Sequence, residues 1–181
     1  PVNVGSLFDT LRSALGPLAL SKGLRLCVRR STLWAMTDAL VLQRIVMNLA
    51  HNAIRYTEQG TVLLACRPAD GGRSVRIEVW DSGIGISSEH QSHIFTEFYQ
   101  VGNAARNRSQ GLGLGLSIVD RSARLLGHPL ALRSNLGCGT RLSITLPVAA
   151  VPDVVPGLAA ASQPEIQGLE GVHVLVIEDD A

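Results

Sequence analysis

The sequence predicts an α/β protein. Two observations point there: runs with apolar residues at helical spacing alternate with short runs of period two, and Gly, Asp or Pro marks each junction. A third concerns size. At 181 residues, with 46% hydrophobic and 17% charged residues, the chain has enough apolar material for a sizeable core and excludes wholesale disorder. The length suits one domain, or one domain plus a fragment, at ~100–200 residues per domain. No apolar run approaches the ~20 residues that cross a bilayer. The opening Pro1-Val2-Asn3-Val4 lacks a signal-peptide pattern and an initiator methionine, which suggests a piece of something longer.

Residues 6–20 are expected to be helical, with Leu7, Phe8, Leu11, Leu15 and Leu18 at helical spacing and Pro17 limiting where the helix can end. Leu24–Val28, alternating with Arg25 and Arg29, reads as a half-buried strand. Thr37-Asp38 is a capping start for the most periodic stretch of the chain, Ala39 to about Tyr56, which Glu58-Gln59-Gly60 ends. Thr61–Arg67 and Ser74–Trp80 form a hairpin around Asp70-Gly71-Gly72. A Gly-rich corner, a short helix near 88–95 and a polar segment at 101–110 come next. Leu114–Leu126 is helical up to Gly127, and Leu130–Ser134 pairs with Arg141–Leu146. Pro147 closes this unit. Residues 149–170, with Pro152, Pro156 and Pro164 and no periodicity, have linker composition. Val172–Ile177 then begins another strand, ending in Glu178-Asp179-Asp180.

Charge divides along the same boundary. Residues 1–150 hold all 16 basic and nine acidic residues, whereas 151–181 hold six acidic residues and no basic one. Lys22 is the only lysine and is flanked by Ser21 and Gly23, so no Gly-Lys-Ser/Thr phosphate loop exists. Cys27, Cys66 and Cys138 are odd in number and lack a C-x-x-C pair, which suits reduced thiols in a cytoplasmic setting rather than zinc or disulfides. Aromatics are 4% with no basic-aromatic stripe, so no nucleic-acid partner is expected.

Four groups of residues can carry chemistry. On the helix after Asp38, Leu42, Ile45, Val46, Leu49 and Ala53 share one face, and Asn48, Asn52, Arg55, Arg44 and His51 another. That second face is either a solvated surface or a set of amide oxygens suited to a hard cation such as magnesium. Asp81-Ser82-Gly83-Ile84-Gly85-Ile86 is either a plain turn or a strand-end carboxylate that accepts an exocyclic amine. Gly111-Leu112-Gly113-Leu114-Gly115-Leu116 opens a helix but fails the dinucleotide fingerprint, since Leu116 stands where Gly is needed and no strand precedes it. It is either a hinge or an anion site at a helix start. Ile94-Phe95-x-x-Phe98-Tyr99 has core-like spacing, and Arg106 and Arg108 belong to a solvated loop or to a phosphate-covering lid.

Taken in order, N-L-x-x-N-A-x-R-Y-T at Asn48–Thr57, D-S-G-I-G-I at Asp81–Ile86, I-F-x-x-F-Y-Q at Ile94–Gln100, G-L-G-L-G-L at Gly111–Leu116 and G-C-G-T at Gly137–Thr140 closely resemble the ATP-binding catalytic domain of bacterial sensor histidine kinases. That family shares a superfamily with gyrase, a heat-shock chaperone and mismatch-repair ATPases. The resemblance covers residues 1–148 and implies a two-layer α/β sandwich, with a mixed sheet and helices on one face. It implies ATP and Mg²⁺ as cofactors, with Asn52 as the metal ligand and Asn48 and Arg55 acting at the phosphates. Arg55 stands where the family often has Lys. Tyr56 would line the base pocket, Asp81 would accept the adenine amine, Gly83 and Gly85 would shape that pocket, and Thr140 could support Asp81 through water. Gly111, Gly113 and Gly115 would meet the phosphates, with Ile86, Phe98, Leu112, Leu114 and Leu116 completing the binding set.

The resemblance further implies transfer of the γ-phosphoryl group to a histidine on an upstream dimerisation hairpin. None of the five His fits that role, since they precede Asn52, Gln91, Ile94, Pro129 and Val174. Val174–Asp179 resembles the first strand and acidic pair of a receiver domain, so 171–181 would begin one and the parent would be a hybrid kinase. The expected partners are that hairpin and a receiver domain or response regulator, in a homodimeric parent for which a membrane anchor is left open; the 181 residues themselves would contact no membrane. Another ATPase of the superfamily, or a non-catalytic nucleotide-responsive module, is the alternative.

Overall fold

The computed structural model describes residues 1–101 and 112–151. All of them belong to one compact unit, Pro1–Val151. Its frame is a five-stranded mixed sheet, built from β2 (Arg25–Val28), β4 (Thr61–Ala69), β5 (Ser74–Asp81), β6 (Leu130–Ser134) and β7 (Thr140–Pro147) in the order β2-β4-β5-β7-β6. Only β2 and β4 run parallel; the other neighbours are antiparallel. A two-residue ribbon pairs β1 (Val2–Asn3) with β3 (Trp34–Ala35). It is too short to leave a periodic trace in the sequence.

Three helices cover one face: α1 (Val4–Ser21), α2 (Ala39–Arg55) and α4 (Gly115–Leu125); a single turn, α3 (Ser88–Gln91), lies in the connection between β5 and α4. The helix α2 forms where its cap and period predict. Asp38 Oδ1 accepts from Val41 N at 2.8 Å, and Leu42, Ile45, Val46, Leu49 and Ala53 are all buried. Burying five such side chains stabilises by about 1.5–3 kcal/mol for each larger one, before chain entropy is subtracted. They pack against Val62 and Leu64 of β4, Val75, Ile77 and Val79 of β5, and Leu142, Ile144 and Leu146 of β7.

The helix α1 itself runs through Pro17 to Ser21, as the spacing over 6–20 predicts: the missing N–H costs one bond, but Ala19, beyond the proline, is buried in the core, and Lys22 N closes the end on Ala19 O. Two expectations need correction. Leu18, expected on the core face, is largely outside it. The unit also extends past Pro147: Val148 bridges Ala35, and Ala149 N donates to Trp34 O at 2.9 Å.

On the opposite face of the sheet a carboxylate is buried. Glu78 is only 2% exposed, yet Arg67 approaches it at 3.0 Å, Trp80 Nε1 donates to it at 3.0 Å and Arg141 lies 3.8 Å away. The Arg141 guanidinium also sits 4.7 Å from the Trp80 ring centre. This network joins β4, β5 and β7 one residue from Asp81 and Thr140, which face the helices. At the other end of the helical layer, His128, just past α4, shares a 2.8 Å hydrogen bond with Thr37, beside the cap of α2. The two helices are thereby tied together.

Candidate nucleotide-binding site

Between the end of α1, α2, the 94–100 segment and the start of α4 lies a cavity of about 510 Å³, and adjoining it, between α2 and the sheet, is a smaller one of about 120 Å³ that shares wall residues with it. Asn52, Tyr56, Tyr99 and Leu116 line both. The larger adds Asn48, Arg55, Leu112, Gly113, Leu114 and Gly115; the smaller adds Asp81, Gly85, Ile86 and Thr140. Residues from all five sequence boxes thus line these two adjoining cavities.

In the smaller cavity Asp81 stands at the end of β5. Its Oδ1 accepts from Gly83 N at 2.9 Å and from Thr140 N at 3.2 Å. Burial pushes the Asp81 carboxyl above the ordinary 3.8, and those two backbone bonds pull against the rise. Thr140 therefore supports Asp81 directly through its backbone, while its hydroxyl shares a 2.9 Å bond with Ser134. Gly83 contributes its N–H to Asp81 but does not line either cavity. Gly85 has φ +68°, and a Cβ there would collide with the Asn135 carbonyl oxygen.

In the larger cavity the α2 amides meet the start of α4. Asn48 Nδ2 donates to Arg44 O at 2.9 Å, leaving its Oδ1 free to face the gap. A Cβ on Gly115 would come within 3.3 Å of that oxygen and 3.8 Å of the Asn52 amide, so glycine keeps this cradle open. Among the described residues no side chain caps α4, and its first residues, Gly115 and Leu116, line the cavity, so the positive end of its dipole lies at that wall. The Arg55 guanidinium lies 5.3 Å from the Tyr56 ring centre. This arrangement combines amide oxygens, backbone N–H groups of a helix start and a guanidinium at one end, and a half-buried carboxylate acceptor in a largely apolar wall at the other.

Phe98 is not brought into either cavity. It is 67% exposed with φ +62°, and its N–H donates to Gly113 O at 3.2 Å. Beyond Gln91 the segment is turns rather than helix, so helical spacing does not place its aromatics. Tyr99 takes the wall position instead, with its hydroxyl 2.7 Å from His90 Nδ1. A hydroxylated ring among phenylalanines was the available signal. Lys22 and His51 also line the larger cavity. Gly111, Arg106, Arg108 and the strand expected at Val172–Ile177 lie outside the described residues.

Residues 37–150 match the family model described as histidine kinase-, DNA gyrase B-, and HSP90-like ATPase. The chain is 34% identical over 175 residues to the virulence sensor protein BvgS of Bordetella bronchiseptica, covering 90% of this chain and 14% of that protein. It is 31% identical over 183 residues to the aerobic respiration control sensor protein ArcB of Escherichia coli (strain K12), covering 99% of this chain and 23% of ArcB. The chain therefore spans less than a third of the length of either relative. Full-length ShkA in complex with AMPPNP has a similar fold, with a TM-score of 0.71 at 30% identity, over 83% of this chain and 31% of that one. With the mixed sheet, the one-sided helical layer and the order of the boxes, these matches establish that the chain belongs to the histidine kinase-, DNA gyrase B-, and HSP90-like ATPase family, among the catalytic domains of sensor histidine kinases.

Proposed function

We propose that residues 1–148 bind Mg-ATP and donate its γ-phosphoryl group to a histidine on a separate dimerisation domain. One observation carries this reading: an amine acceptor in one cavity and two amides and a helix start in the next are joined by shared walls at Asn52, Tyr56, Tyr99 and Leu116. Adenine fits the smaller cavity with its exocyclic amine donating to Asp81, beside Gly85, Ile86 and Thr140. Asp81 has one oxygen committed to two backbone N–H groups, which fixes the other toward the base. Tyr56 borders both base and phosphates.

The polyphosphate fits the larger cavity, where the α4 N–H groups at Gly113–Leu116 and the Arg55 guanidinium offset its charge. Magnesium brought by the nucleotide fits the donor set, because amide oxygens are hard ligands and the Gly115 cradle leaves room for coordinated water. Asn52 would hold it directly, with Asn48 beside the metal and phosphates. When bound, the ion supplies charge neutralisation; the residues supply position, which is most of what phosphoryl transfer needs. ShkA's complex with AMPPNP supports an adenine nucleotide here.

In the same reading, 149–170 is a linker and 171–181 begins a receiver domain, making the parent a hybrid kinase and a homodimer. Its partners are the upstream His-bearing hairpin and a receiver domain or response regulator. Among the described residues no helix is long and apolar enough to cross a membrane. The proposed place of the domain, where ATP is available to a sensor kinase, is the cytoplasm. The test is calorimetric titration with AMPPNP. Saturable binding that needs Mg²⁺ is expected; absence of binding by the folded chain overturns the reading.

A further inference from the structure

Lys22, the only lysine of the chain, is committed entirely to the end of α2. It follows α1 directly, more than 30 residues before its partners. Its Nζ donates to Ile54 O at 2.8 Å, Arg55 O at 2.9 Å and Thr57 O at 3.1 Å. An ammonium has three N–H groups, and each meets a carbonyl at or just beyond the helix end, where carbonyls lack intrahelical partners. Lys22 and two of the residues it caps, Ile54 and Arg55, line the larger cavity alongside Asn48 and Asn52.

The charge matters because of where α2 ends. A helix C-terminus carries about −0.5 elementary charge, spread over its last carbonyls. Here those carbonyls border a cavity whose reading as a polyphosphate site is the one proposed above, and on which this inference rests. Left bare, they would repel the ligand's negative charge. Lys22 has no donor to spare for a phosphate, so it acts through the helix end rather than on the ligand. We infer that Lys22 is a positioning residue that cancels the negative end of α2 and so makes that wall of the cavity acceptable to a polyphosphate.

The test compares AMPPNP with adenosine, which fills the base cavity without phosphates, in wild type, Lys22→Met and Lys22→Arg. Lys22→Met keeps the aliphatic stem and removes the charge. It should weaken AMPPNP roughly tenfold and adenosine less than twofold. Lys22→Arg, keeping the charge with altered geometry, should recover most of the AMPPNP affinity. A lowered melting temperature with unchanged AMPPNP affinity overturns the inference, as does an equal loss of both ligands, because either means an ordinary helix cap. If Lys22→Met does not fold, Lys22→Gln carries the same comparison. If wild type itself fails to bind AMPPNP, the nucleotide reading falls and this inference with it; if wild type binds and Lys22→Met binds equally, only the inference falls.

Discussion

Replacing Asp81 by Asn separates the role of the carboxylate from its place in the fold. Asp81 Oδ1 accepts from Gly83 N at 2.9 Å and Thr140 N at 3.2 Å, and an Asn carbonyl can take both bonds. The amide NH₂ must then occupy the position of Oδ2, where it would meet the adenine amine of the proposed complex, donor against donor. A hydrogen bond to a charged group contributes about 1.5–3 kcal/mol. Its loss should weaken ATP roughly 10- to 150-fold, at 1.4 kcal/mol per tenfold. GTP presents a carbonyl where adenine has its amine, so wild type should prefer ATP and Asp81→Asn should lose most of that preference. Calorimetry with both nucleotides, and a thermal melt to show the fold intact, reads this out. Equal binding of ATP and GTP by wild type, or unchanged ATP affinity in folded Asp81→Asn, would refute the assignment.

Other outcomes test other parts of the site. Asn52→Ala should abolish Mg²⁺-dependent ATP binding without unfolding the chain, because Asn52 lies off the buried face of α2; wild-type affinity in a Mg²⁺ titration would contradict the metal assignment. Because burial raises the Asp81 carboxyl above 3.8, nucleotide affinity should hold at neutral pH and fall on acidification sooner than an ordinary carboxylate would allow; Asp81→Asn should lack that step. His128 is buried and its imidazole is pushed below the ordinary 6.5, so the unfolded chain takes up its proton first. The stability it contributes should be full above about 6.5 and fade as pH falls toward the lowered folded value. Melting temperatures from pH 8 to 5 should drop accordingly, less so in His128→Gln; a wild-type melting temperature that rises toward acid would contradict this.

What could be read in the sequence was whatever a local pattern controls. The α2 cap at Asp38, its buried face, the hairpin around Asp70-Gly71-Gly72 and the final strand pair all follow from spacing and turn chemistry. Asp81, Asn48 and Asn52 could be singled out because a carboxylate at a strand end and two amides four apart are unusual where they stand. Contacts made across the fold were not legible. Lys22 reaches carbonyls 32 to 35 positions away, and no local rule connects an isolated lysine to them. Thr140 supports Asp81 through its backbone N–H, which any residue there would possess. Phe98 and Tyr99 exchange the expected places because a left-handed residue, φ +62°, turns the chain at Phe98. The ribbon of β1 and β3, two residues each, falls below any periodic signal.

The most direct measurement is radiolabel transfer from γ-labelled ATP, with the 181-residue chain alone and with the separately supplied dimerisation hairpin of its parent. Label should appear on the hairpin, in acid-labile form, only with Mg²⁺ and only with Asn52 intact. Transfer should be slow, because nothing raises the local concentration of the two pieces. The chain alone should stay unlabelled: none of its five histidines has an acceptor context, His128 is buried against Thr37, and His90 is bonded to Tyr99. Stable acid-labile label on the chain alone would make an internal histidine such as His51 or His93 the acceptor. A folded, ATP-binding chain that never labels the hairpin would contradict the proposed transfer itself.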